Sequence, residues 1–270
     1  MKLPADLVQR ILELPPAEAW RLLGDEAGRT CALLRVPEGD GEVLALARER
    51  RLQALDLLLS EAGPALWRAL PQSVPPAVTE WSSWWESRPP GRALLLLEGL
   101  SLRETPWLLS QARGRGLRVR AARWRRAELP GDPVTFRSTL GLPGREREEA
   151  AVRGGLQIRS TDLPFPDCTD LVGPEPDQVL WHRWPSSSVR RLSGSRRAVR
   201  EMAREAEETL SSDGFWATAR RLAQGRGLVL TSDRGYALPA GTSKGTPGPG
   251  TTEVLVRALV PYLELEALPT

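Results

Sequence analysis

Residues 93–98, Ala-Leu-Leu-Leu-Leu-Glu, form a continuous apolar run that ends on a carboxylate. A run of this length reads as a strand. A helical pattern, "SLRETPWLLSQARGRG", comes directly after it, with Ser101 and Glu104 at capping-box spacing. The same alternation then repeats. "GLRVRAARW", "DQVLWHRWP" and "RGLVLTSD" read as strands, and "SRRAVREMAREAEETLSSDGFWATARRLAQG" as one or two helices. Alternating strands and helices imply an α/β layer architecture. Residues 145–175 read as loop-rich, and "LPAGTSKGTPGPGTTE" as a flexible loop before a last apolar segment, "VLVRALVPYLELEA". No internal repeat is present.

Upstream the period is different. Residues 3–71 carry helical periodicity without strand alternation, and Leu44, Leu46, Leu52, Leu55, Leu58 and Leu59 are spaced as one apolar face. Between the two patterns lies "LPQSVPPAVTEWSSWWESRPPG", bounded by Pro-Pro pairs. Its Trp81, Trp84 and Trp85 have i, i+3, i+4 spacing. They either pin the helical unit onto the α/β part or form an exposed partner-binding patch. The chain therefore divides into a helical N-terminal domain (1–73), a Pro/Trp-rich boundary (74–91) and an α/β domain (92–270).

With 270 residues, 41% of them hydrophobic, the chain can bury a sizeable core. The formal net charge of +3 marks no global field for nucleic acid. Lysine occurs only at Lys2 and Lys244, so arginine clusters partly reflect a general use of arginine for positive charge. Cys31 and Cys168 are far apart and offer neither a zinc-ligand spacing nor a disulfide framework. The N-terminal "MKLPADLVQR" has no apolar signal-peptide core, and no apolar run approaches the length of a membrane span. A soluble, cytoplasmic protein is the expectation, without membrane contact.

Four pieces carry a family resemblance. "LLLLEGLSLRE" is similar to the "LLVDGL" strand-turn of the alkaline-phosphatase superfamily, in its PglZ branch, and "VLTSDRGY" resembles that branch's "TSDHGY". Between them "AELPGDPVTFRSTLG" resembles a segment the family writes as "LPSxT", and "TTEVLVRALVPYL" resembles its closing element. Their order and rough spacing agree over about residues 91–265. The resemblance implies a compact three-layer sandwich with a mainly parallel sheet. It also implies two divalent ions held by Asp and His ligands, with a Ser or Thr nucleophile beside them.

This sequence departs from that pattern where the chemistry would sit. Glu98 stands at the first Asp ligand, one methylene longer. Asp233 matches its ligand, but the following His is Arg234, whose guanidinium has no lone pair for a metal. Gly131 and Pro133 fall where Ser and Thr are kept, with Thr135, Ser138 and Thr139 as nearby hydroxyls. The whole chain has one histidine, His182. It reads either as a leftover ligand or as a residue packed between Trp181 and Trp184. Arg234 either pairs with Glu98 or Asp233 in place of metal, or belongs to a solvated turn.

Arg113, Arg115, Arg118, Arg120, Arg123, Arg125 and Arg126 fall in one window with Trp124 among them. Arginine forks and an aromatic face suit a phosphate-bearing partner. Alternation of Arg118 and Arg120 with Leu117 and Val119 equally suits a half-exposed strand facing solvent or a protein. A second group, Arg190, Arg191, Arg196, Arg197 and Arg200, surrounds "LSGS".

The sequence thus points to a catalytically inactive PglZ-like protein that binds or scaffolds protein partners and needs no cofactor. The resemblance implies bacterial anti-phage systems such as BREX. One alternative is a phosphodiesterase or phosphatase holding a single Mg²⁺ or Mn²⁺ with Glu98, Asp233 and Asp132 or His182. The other is a nucleic-acid-binding accessory protein using Arg118, Arg120, Arg123, Trp124 and Arg125.

Overall fold

The computed structural model describes residues 3–32, 41–62, 64–87, 91–98, 100, 102, 104–128, 152–153, 156–161, 178–183, 204, 207–208, 210–211, 213–225, 227–232 and 259–269. Four helices open the chain: α1 (Ala5–Glu13), α2 (Pro16–Ala32), α3 (Gly41–Ala62) and α4 (Pro64–Ser73). Leu7 and Ile11, four apart, face inward from α1. Proline opens α2, where its missing N–H has no intrahelical partner to lose. Ala19, Trp20, Leu23 and Ala27 of α2 pack with Leu52, Leu55, Leu58 and Leu59 of α3 and with Leu66 and Leu70 of α4. The Trp20 indole N–H donates to the Leu66 carbonyl, so the ring's polar atom is satisfied inside that cluster.

Seven strands form one sheet in the order β2-β7-β6-β1-β5-β4-β3. They are β1 (Ala93–Glu98), β2 (Leu117–Arg126), β3 (Val152–Arg153), β4 (Leu156–Thr161), β5 (Gln178–Arg183), β6 (Leu228–Thr231) and β7 (Leu259–Ala267). The fold is α/β with a mixed sheet. β6, β1, β5 and β4 are parallel neighbours, whereas β7 is antiparallel to both β6 and β2, and β3 is antiparallel to β4. The expected mainly parallel sheet thus holds for its four central strands. Across all neighbours, pairing is as often antiparallel as parallel.

Residues 145–175, expected to be loop-rich, contain β3 and β4. The "LQIRST" of β4 alternates apolar and polar residues only as far as Arg159 and comes after a Gly-Gly pair, which masked the period.

Helices cover both faces. α6 (Thr105–Gly114) comes after β1, and Asp213–Ala223, here α7, precedes β6. Trp107, Leu108 and Ala112 of α6 and Phe215, Trp216, Ala219 and Leu222 of α7 pack on Ala93, Leu95 and Leu97 of β1 and Leu228 and Leu230 of β6. The alternate residues Leu94, Val229, Val260 and Tyr262 meet α5 (Ala77–Ser87) through Ala77, Trp81 and Trp84. β1 is apolar from Ala93 to Leu97 because both of its faces are covered. Trp81 and Trp84 are each 7% exposed, so these two pin α5 onto the sheet and offer no exposed patch. The side chain of Trp85 lies outside the described residues.

The capping box at Ser101 and Glu104 does not set the start of α6. Glu104 is itself the N-cap, makes no side-chain cap bond, and has a proline after it in the first turn. Pro106 tolerates that position because the first-turn N–H groups are unpaired within a helix anyway. Gly116 and Gly227, with φ of 78° and 112°, make the left-handed turns into β2 and β6.

Packing runs across the change of sequence pattern. Leu102 and Leu259 join the α1–α4 cluster, and Leu46 of α3 joins the core formed by α6, α7 and the sheet.

Candidate functional site

The carboxyl ends of β1, β5 and β6 lie side by side. β1 is flanked by both others in parallel, with Leu96 opposite Thr231 on β6 and opposite Trp181 on β5. Glu98 is the last residue of β1, and in register it faces Arg183 of β5. His182 stands opposite Leu97, one position out of phase with Glu98. Since successive strand residues alternate between faces, Glu98 and Arg183 hold matched positions and Glu98 and His182 do not. Sequence reasoning missed Arg183 because a cross-strand neighbour has no local signal. Asp132, Pro133, Asp233 and Arg234 lie outside the described residues, as do the basic group at 190–200 and the side chains of Glu98 and His182. Among the described residues, no three His, Cys, Asp or Glu side chains converge as a metal cluster.

Buried charges that sequence periodicity did not single out lie on α3 and at the start of α6. Glu104 is 1% exposed, Arg48 3% and Glu49 fully buried. The Arg48 guanidinium lies 4.3 Å from the Trp107 ring centroid, a cation–π contact between α3 and α6. A signal existed for Arg48: it falls between Leu44 and Leu52 at four-residue spacing, within the apolar stripe.

Arg113 lies in the last turn of α6 and Arg115 is its C-cap, whereas the arginines from Arg118 to Arg126 lie on β2, an edge strand whose outward charges are met by acids. Arg118 reaches Glu266 at 2.6 Å and Arg120 reaches the same carboxylate at 3.5 Å. Arg123 and Arg125 both bind Glu80 of α5, and Arg125 also donates to its neighbour's carbonyl, Trp124 O, at 2.8 Å. Arg126 is buried and donates to the carbonyls of Val74 at 3.0 Å and Ala127 at 3.1 Å. Burial lowers its pKa, and the nearby Glu128 carboxylate opposes that shift. Glu128 in turn is raised by burial and held back by Arg126.

A bulge sets where Trp124 goes. The β2–β7 register slips between Val119 and Ala121. Before the slip Arg118 pairs with Glu266, and after it Ala121, Arg123 and Arg125 pair with Glu264, Tyr262 and Val260. Val260 and Tyr262 are on the α5 face, so the arginines on either side of the slip share that face. Straight alternation from Arg118 would have put Trp124 there too. The extra residue turns it to the opposite face instead. There its indole Nε1 donates to Asp25 Oδ1 at 2.9 Å, and its ring lies against Gly24 and Gly28 of α2. Of the residues read as partner- or phosphate-binding, Arg118, Arg123 and Arg125 thus share one face of β2 and Trp124 lies on the other. The arginines meet glutamates on one face, and the tryptophan docks a helix on the other.

No described helix is long and apolar enough to cross a membrane. Compared with known proteins, the chain matches no protein-family model and no curated relative.

Proposed function

We propose that this chain is a catalytically inactive PglZ-like protein, a compact three-layer variant of the alkaline-phosphatase fold, that binds or scaffolds protein partners in a bacterial anti-phage or conflict system. One observation carries the reading. β1 and β6 are parallel neighbours whose carboxyl ends lead to the two motifs that resemble the family, with Leu96 opposite Thr231 two residues before Glu98 and Asp233 respectively. Such strand ends are where open α/β sheets build their sites. Chemistry then argues against turnover. A binuclear centre needs several Asp or His ligands, and this chain has one histidine and an arginine where the motif has another.

The enzyme alternative would draw His182 toward Glu98, yet the register offers Arg183 there. The nucleic-acid alternative would need arginines available to phosphate, yet Arg118, Arg120, Arg123 and Arg125 have carboxylate partners.

The test is thermal melting of the full chain with Zn²⁺, Mn²⁺ or Mg²⁺ titrated in, beside hydrolysis of bis(p-nitrophenyl) phosphate. The expected result is no metal-dependent rise in Tm and no metal-dependent hydrolysis. A rise in Tm and hydrolysis that are both lost in Asp233→Asn would replace this reading with the single-metal enzyme.

A further inference from the structure

A cleft of about 420 Å³ opens between α2, α6 and the β2–β7 pair. Its volume lies in the range of small-molecule sites and far below what a folded partner needs. The floor is apolar: Leu102, Leu109, Ala122, Leu263 and the ring of Trp124. Polar groups sit on one side, where α2 presents Asp25, Gly28 and Arg29 on a single face at i, i+3, i+4 spacing.

At that side Arg29 is the group that can receive an acidic ligand atom. Among the described residues Asp25 is the one acid in the lining, and its Oδ1 already accepts the Trp124 indole N–H at 2.9 Å. Arg29 uses its Nε on the Asp25 carbonyl at 3.3 Å and one terminal nitrogen on Glu26 at 3.1 Å. A guanidinium carries five N–H donors, so Arg29 retains capacity beyond these two contacts. Its side chain is 60% exposed and can turn toward the opening. Arg123 borders the cleft, but its guanidinium is on the α5 face of the sheet, held by Glu80, so Arg29 is the cation that faces the opening.

We infer that this cleft binds a small amphiphilic anion, its aromatic or aliphatic body on Leu102, Leu109, Leu263 and Trp124 and its acidic group on Arg29. The bulge in β2 is what makes the site, because it turns Trp124 away from the arginine face and into the wall of the cleft. The site does not depend on the phosphatase-like reading, since it uses none of that reading's residues.

The test uses two fluorescent probes on the full chain: anilinonaphthalene sulfonate, an aromatic anion, and N-phenylnaphthylamine, its uncharged counterpart. The sulfonate is expected to bind saturably at one site and to raise Tm. Arg29→Ala should weaken the sulfonate about tenfold and leave the neutral probe unchanged, as the loss of one charge-assisted contact would. Ala122→Trp, which fills the floor, should abolish both, while Arg10→Ala on α1 should change neither. Leu109→Trp fills the same space from the helix side and replaces Ala122→Trp if that variant melts abnormally. Equal binding of the sulfonate by the parent, Arg29→Ala and a folded filling variant would overturn the inference, as would the absence of saturable binding.

Discussion

Trp124 and Asp25, 99 residues apart in sequence, are joined by a 2.9 Å hydrogen bond that ties the edge of the sheet to the second helix. The joint depends on two missing side chains. A Cβ on Gly24 would overlap the Trp124 ring, and one on Gly28 would lie 2.9 Å from its Cδ1. Alanine normally strengthens a helix by about 1 kcal/mol over glycine. Here Gly24→Ala should instead destabilise by roughly 1–3 kcal/mol through overpacking. Urea unfolding would read this as a lower midpoint at unchanged slope, with Gly28→Ala milder. An increase in stability for Gly24→Ala would mean the indole is not seated on α2.

Glu80 bridges two arginines from a helix to a strand, and its side chain is 20% exposed. Glu266 also meets two arginines, but is 40% exposed. Solvent screens the second pair more strongly. Glu80→Ala should therefore cost more than Glu266→Ala, with the latter below about 1 kcal/mol. Thermal melts at low and high salt test the ranking, and salt should weaken the effect of Glu266→Ala more than that of Glu80→Ala.

Tyr262 is fully buried, and its hydroxyl has no hydrogen-bond partner among the described residues. Burial raises its pKa above the usual phenol value; Glu80 and Glu264 push the same way, while Arg125 and Arg123 oppose them. The folded state thus holds the proton more tightly than the unfolded chain. That contribution is complete below the unfolded value near pH 10 and declines as pH rises above it. Tyr262→Phe should have nearly the parent's stability at pH 7 and lose less above roughly pH 10, by up to about 1.4 kcal/mol per pH unit. Parallel stability–pH curves for the two proteins would contradict this.

Glu98 and Arg183 occupy matched register positions on neighbouring parallel strands. A double-mutant cycle with Glu98→Gln and Arg183→Ala should show non-additivity of about 0.5–3 kcal/mol. The same cycle with His182→Ala should be additive within about 0.5 kcal/mol. Coupling of Glu98 to His182 rather than Arg183 would favour the carboxylate–histidine metal set.

Much of the fold is legible from single segments. The apolar run at 93–98, the strands at β2, β5 and β6, and the helical spacing before residue 71 each carry a local pattern that is found as the matching element. What escaped was non-local. β4, with Leu156 and Ile158 as its apolar residues, is too polar to announce itself, and nothing in β7's sequence says that it runs antiparallel between β6 and β2. For the site, Glu98 was visible as a carboxylate closing a strand, but Arg183 becomes its neighbour only once the register is known. Straight alternation from Arg118 sets Trp124 beside Arg118 and Arg120 and sends Arg123 and Arg125 to the other face. One inserted residue in the ladder invalidates that count.

The slip between Val119 and Ala121 makes the length of β2 as constrained as its composition. Removing one residue there would leave every downstream amino acid in place yet exchange their sides, sending Trp124 toward α5 and turning Arg123 and Arg125 toward α2. A single-residue deletion in this strand would act on the protein's interior as a frameshift acts on a message: the letters survive and the sense is lost.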